Sequence, residues 1–280
     1  MIKYGIGRYH KRPDWYIRVF TVKIISMKFF VVSLIAPALF IVNTAWAERN
    51  YDILIDKETT LTVQHYPGTS DIVLLWFPSE AGITRDDIDL AKVLARSGFD
   101  VHIAGTLDAR FLSALRSSME KIPASDVSAT ITYIMKNYSG KVVLMSSERG
   151  AVSTLRGLRT WLNKARVGDK KRLQGLIMLS PNLYVETPQP GKDAQYLPVV
   201  ANIKTSVYIF QPMLSPKYWW YERLQKELRK GGSKVKVEVL MGVRDRFYYR
   251  HDASKRELDK AEQYPQLLTR AIKALSSLGR

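Results

Sequence analysis

Apolar and polar positions alternate along this chain in two rhythms, one of period two and one of helical period. Tyr51–Ile55 and Thr60–His65 alternate around the polar stretch 56–60 and predict a strand pair. Ile72–Phe77 is apolar throughout, as expected of a strand buried on both faces. Asp86–Ser97 then carries Ile88, Leu90, Ala91, Val93 and Leu94 at helical spacing, with Gly98 as its stop. The same alternation continues through strands at Phe99–Ala104, Lys141–Met145, Leu173–Leu179, Ser206–Phe210 and Val235–Leu240. Helices are predicted at 124–137, Gly150–Lys164, Tyr218–Lys230 and Lys260–Leu278, the last closed by Gly279. Apolar strands separated by helices specify an α/β fold. Its central sheet is mostly parallel, covered on both faces, with an antiparallel N-terminal edge. No repeat or linker interrupts the pattern, so residues 48–280 read as one domain.

The first 47 residues follow a different rule. From Met27 a short basic start leads into an apolar run, Phe29–Val42, and then Ala45-Trp46-Ala47. Small residues at both positions read by a signal peptidase predict cleavage before Glu48 and a periplasmic or secreted product. A run of about 14 residues spans ~21 Å as a helix, short of the ~30 Å hydrocarbon core. Pro37 inside it also suits an export signal better than a stable span. An uncleaved leader, anchoring the protein to a membrane, is the alternative. Residues 1–25 form an overlong basic leader, so translation starts either at Met1 or at Met27.

Composition narrows the partners. The chain contains no cysteine, so disulfides and a cysteine-linked lipid anchor are excluded, and packing alone must hold the fold. The formal charge is +17. Residues 1–47 hold seven Lys/Arg and one Asp, which leaves +11 without them. Such a surface suits an anionic lipid face, but no nucleic-acid motif accompanies it, and nucleic acid is not an expected partner. An unidentified small molecule or protein is the other expected partner. Phosphate-cradling glycine loops are absent and no His/Cys cluster has zinc-type spacing, so neither a cofactor nor a metal is expected. His65 and His102 read as satisfied strand residues. The aromatic run Tyr218-Trp219-Trp220-Tyr221 reads as wrapping its helix onto the sheet.

The element order resembles the α/β-hydrolase fold, and the resemblance rests on one turn. That family carries its nucleophile in G-x-S-x-G, between a buried strand and a helix. Here Lys141–Met145 runs into Ser146-Ser147-Glu148-Arg149-Gly150 and then a helix, so the elbow is degenerate and holds Glu148 at the nucleophile position. The resemblance implies an oxyanion loop at Pro78-Ser79-Glu80-Ala81-Gly82, with Ser147 and Arg149 also beside the pocket. It places Asp245, in Gly242-Val243-Arg244-Asp245, where the family delivers its histidine. After Ser206–Phe210, where the family often has its acid, Gln211–Pro216 offers no carboxylate. No Ser-His-Asp triad is recognisable.

Imidazole shuttles protons near neutrality because its pKa is ~6.5, whereas an ordinary Asp near 4 is a poor acceptor. The primary expectation is therefore a non-catalytic binding or accessory protein, with the acids closing a salt-bridged dead pocket. The alternative is a working hydrolase of ester-type substrates, using Glu148 as nucleophile or base with Asp245 or His251 assisting.

Overall fold

The computed structural model of the protein describes residues 48–278, and these belong to one compact unit. Residues 1–47, the predicted leader, lie outside the described residues. Among the described residues no helix is long and apolar enough to cross a membrane.

The strands are β1 (Arg49–Leu54), β2 (Thr60–Tyr66), β3 (Ile72–Phe77), β4 (Asp100–Ala104), β5 (Lys141–Ser147), β6 (Leu173–Leu179), β7 (Ser206–Pro212) and β8 (Lys234–Leu240). They form one eight-stranded sheet in the order β1-β2-β4-β3-β5-β6-β7-β8. The β1–β2 and β2–β4 pairs are antiparallel; every pairing from β4 to β8 is parallel. The helices are α1 (Arg85–Arg96), the single turn α2 (Ser118–Lys121), α3 (Ala124–Asn137), α4 (Gly150–Lys164), the short α5 (Val167–Arg172), α6 (Tyr221–Lys230) and α7 (Lys255–Leu278).

Period two in the strands divides the core into two layers. On β3, Val73, Leu75 and Phe77 pack with residues of α3, α4 and α6, while Leu74 and Trp76 pack on the other face with α1 and α7. All five are at most 3 % exposed, which explains the unbroken apolar run. Each such side chain contributes roughly 1.5–3 kcal/mol on burial.

Helix ends follow their caps. Thr84 and Asp87 close a reciprocal capping box at the start of α1. The Glu257 backbone N–H donates to Ser254 Oγ at 3.3 Å, and the Ser254 N–H donates to Glu257 Oε2 at 2.8 Å. This second box starts α7 at Lys255, five residues before the predicted Lys260. The aromatic run also departs from expectation. Ser215 caps a 3-10 turn, Pro216–Trp220, that precedes α6 and holds no buried residue, whereas α6 itself buries Leu224 and Leu228. Trp219 is 83 % exposed, and Tyr218 stacks on Tyr221.

Candidate functional site

Parallel strands bring their carboxyl ends to one edge, where such sheets bind ligands. β5 extends through Ser147, which pairs with Leu179 of β6, so the reversal into α4 is confined to Glu148 and Arg149. Glu148 has φ +50, a left-handed conformation that a non-glycine residue adopts at about 1–3 kcal/mol. Neighbouring backbone holds it there: the Glu148 N–H donates to Leu179 O at 3.0 Å, and the Asn182 N–H donates to Glu148 O at 2.9 Å. Gly150 is required by close approach, since a Cβ there would lie 2.1 Å from Pro78 O. The elbow is thus pressed onto the loop that follows β3.

Three acids meet at this edge. Glu148 Oε2 accepts from Lys217 Nζ at 2.8 Å, and the same ammonium donates to Asp245 Oδ2 at 2.8 Å. Asp245 also accepts from Ser215 Oγ at 2.9 Å and from Ser180 Oγ. Glu80 comes from the β3 loop; its Oε2 accepts the Arg149 backbone N–H at 3.0 Å and its Oε1 accepts from Arg246 at 2.6 Å. Glu148 is 6 % exposed, and its Oε1 is buried without a hydrogen-bond partner. Burial pushes its carboxyl up to about 7; Lys217 draws it down, while Asp245 and Glu80 add to the rise. For Lys217, burial opposes the ammonium, but the carboxylates of Glu148 and Asp245 outweigh it and raise its pKa.

The remaining sequence candidates take different roles. Ser79 Oγ accepts the Ala81 N–H at 3.2 Å and shapes the β3 loop, while the Pro78 carbonyl lies beneath Gly150. Ser147 is buried at the end of β5. The Arg149 guanidinium is directed to the Tyr184 carbonyl, at 2.6 Å, and to Glu120; only its backbone N–H faces Glu80. Arg244 pairs with Glu257 and Asp252 and takes no part in the cluster. His251 is not brought to the cluster: it is exposed in the turn beyond a short 3-10 segment, Phe247–Tyr249.

Lys217 was missed by the sequence reading, although a signal for it exists. Ser215-Pro216 at the tip of β7 is a turn-starting pair, and it sets Lys217 beside the station where an acid was sought. No His/Cys cluster was expected from spacing, yet His65, Asp100 and His102 converge, with their ligating atoms all within 4.8 Å of one another. A cavity of about 10 Å³ lies beside Ser79. A larger one, about 200 Å³, lies away from the acids against Tyr196, Pro198, Arg223 and Glu227.

No family model and no curated protein matches the sequence. Solved structures do match. A dienelactone hydrolase-type protein from Klebsiella pneumoniae subsp. pneumoniae is 12% identical with a TM-score of 0.58, over 80% of this chain and 98% of that one. A dienelactone hydrolase-like promiscuous phosphotriesterase from metagenomic libraries is 16% identical with a TM-score of 0.57, over 83% and 98%. Thermogutta terrifontis esterase 2, phosphorylated by paraoxon, is 10% identical with a TM-score of 0.56, over 79% and 91%. These likenesses establish the fold expected from the elbow. They also overturn the expectation of a non-catalytic accessory protein, because the matching structures are hydrolases, an esterase and a phosphotriesterase among them.

Proposed function

We propose, taking the α/β-hydrolase fold as premise, that this chain is a working hydrolase of ester-type substrates in which Glu148 handles the proton. The observation that carries the reading is the state of Glu148. It sits in the strained elbow with one oxygen on Lys217 and the other buried and unpartnered, its carboxyl raised to about 7. A carboxylate near neutrality is matched to general-base work, which an ordinary one is not. The three similar structures are named as a dienelactone hydrolase, a promiscuous phosphotriesterase and an esterase.

In this reading the site opens over Oε1, which is buried in the resting protein; ionised Glu148 there takes a proton from a water molecule, and the resulting hydroxide attacks the ester carbon. Negative charge then develops on the carbonyl oxygen. The Arg149 backbone N–H, at the N-terminus of α4, is the donor placed to receive it. Glu80 occupies that donor in the resting protein and is held there by Arg246. Substrate must therefore displace the Glu80 carboxylate before the donor is free. Collapse of the tetrahedral intermediate expels the alkoxide, which recovers the proton from Glu148. Lys217 holds Glu148 in place and Asp245 balances Lys217.

Export forms part of the same proposal, with Glu48 as the first mature residue; N-terminal sequencing of the product from cells tests it. The function is tested on a panel of aryl esters, a lactone and an aryl phosphotriester, comparing wild type with Glu148→Gln. Turnover by the wild type that falls about 10²–10⁴-fold in the variant supports the reading. Absence of turnover on every class overturns it.

A further inference from the structure

At the antiparallel edge of the sheet, two strands aim imidazoles at one carboxylate. His65 of β2 lies directly opposite His102 of β4 in the register, and Asp100 is two residues before His102, on the same face. The two rings stack with centroids 4.2 Å apart. His65 Nε2 lies 2.6 Å from Asp100 Oδ1 and His102 Nε2 lies 3.3 Å from Asp100 Oδ2. His102 is completely buried, while His65 and Asp100 are 13 % and 16 % exposed, leaving an entry from one side.

We propose that His65, Asp100 and His102 form a binding site for a divalent transition-metal ion, Zn²⁺ above all. Two imidazoles and one carboxylate, with ligating atoms within 4.8 Å of one another, are the donor set that zinc and its neighbours take. Without an ion, Asp100 accepts an N–H from each ring, and His102 Nδ1 then accepts from Tyr51 OH at 3.0 Å. With an ion on His102 Nε2, the ring proton moves to Nδ1 and donates to the Tyr51 oxygen. Tyr51 is thus an outer partner that fixes the ring in either state. Stacked rings do not point their Nε2 lone pairs at one position, so His65, the outer ring, turns about its Cβ–Cγ bond to join the ion. Water fills the remaining positions.

The site is independent of the hydrolase reading. Asp100 begins β4, whereas Glu148 follows the last residue of β5, so the two lie at opposite edges of the parallel strands. An ion here clamps β2 to β4 and, through Tyr51, engages β1.

The test uses tag-free, chelator-treated full-length protein and the metal alone. Co²⁺ is expected to give a visible d–d spectrum that Zn²⁺ abolishes. Zn²⁺ at about tenfold over its Kd is expected to raise Tm by about 3–6 °C. His65→Ala, on the outer strand, should lose both signals, and His251→Ala should keep both. A wild type with neither signal at saturating metal overturns the proposal, and so does a His65→Ala protein that binds as wild type does.

Discussion

Glu148 and Lys217 form a one-sided pair: Oε2 of the acid accepts from Nζ at 2.8 Å, while Oε1 is buried and bonded to nothing. A second acid, Asp245, shares the same ammonium at 2.8 Å. One cation between two carboxylates cannot fully compensate either, and burial decides the outcome in favour of a raised Glu148. Its active form as a base is the ionised one. kcat/KM is therefore expected to rise about tenfold per pH unit below about 7 and to level off above it. Lys217→Met removes the ammonium that lowers this carboxyl, so the inflection should move upward by about one pH unit or more. A pH–rate profile of wild type and variant on one aryl ester checks both.

The same shift predicts a stability effect of opposite sense to catalysis. A carboxyl whose folded pKa lies near 7, above its ordinary 4.5, favours the folded state in full below pH 4.5. That advantage is lost as pH rises through 7, where the buried group must ionise. Across this window the loss is roughly 3 kcal/mol for Glu148. Glu148→Gln, neutral and nearly isosteric, escapes the loss. It is expected to be inactive yet more stable than wild type at pH 8, with the advantage disappearing near pH 4. Chemical denaturation at the two pH values checks the sign.

Glu80 makes a separate prediction. Its carboxylate satisfies the Arg149 N–H and is tied down by Arg246. Glu80→Gln weakens both interactions, making the donor easier for a substrate oxygen to claim. A difference of ~1.4 kcal/mol, within the range of one charged hydrogen bond, corresponds to a tenfold gain in kcat/KM. Steady-state kinetics on an ester and a phosphotriester should show the gain for both. A loss of the same size would assign Glu80 a role in the reaction itself.

The elbow glycine ties stability to activity. A methyl group at position 150 would meet Pro78 O at 2.1 Å and its carbonyl carbon at 2.9 Å. Either α4 or the β3 loop must shift, and that loop carries Glu80. Gly150→Ala is expected to lose about 1–3 kcal/mol by overpacking, and to lower kcat/KM by more than the unfolded fraction accounts for. Comparing Tm with kinetics well below the transition separates the two effects.

Most of the scaffold was legible because its signals are local. The run Ile72–Phe77 announces a strand buried on both faces, and β5 followed by Gly150 announces the elbow even with its serine replaced. The resemblance therefore survived the loss of the motif's own chemistry. What the sequence concealed was convergence of side chains distant along the chain. Lys217 reaches Glu148 across 69 residues, and Arg246 reaches Glu80 across 166. His65 and His102 meet only because β2 pairs antiparallel to β4, and no spacing rule for metal ligands covers that case. The inference from a missing triad to a missing activity runs against the hydrolases that share the fold, and it used the ordinary pKa of a carboxylate, a premise that burial at the elbow removes.

Arg110 staples three segments without bonding to any of the three acids, which makes it a probe of the fold. Its guanidinium engages Asp126 through two donors, Nε and one terminal nitrogen, each at 2.7 Å, at the start of α3. It also reaches Asp56 at 2.7 Å and Thr59 at 2.9 Å in the turn between β1 and β2. Asp126 is 1 % exposed and pairs with Arg110 through this fork. Arg110→Met leaves a buried carboxylate unpaired and is expected to destabilise by about 3–5 kcal/mol. Arg110→Lys keeps the charge but cannot hold both oxygens in one plane, and an intermediate loss is expected. Adding Asp126→Asn to Arg110→Met removes the orphaned charge and should recover part of the loss, giving a positive coupling in the double-mutant cycle. Urea denaturation of the four proteins measures it. If the double variant is no more stable than Arg110→Met, the burial of Asp126 is not what Arg110 compensates.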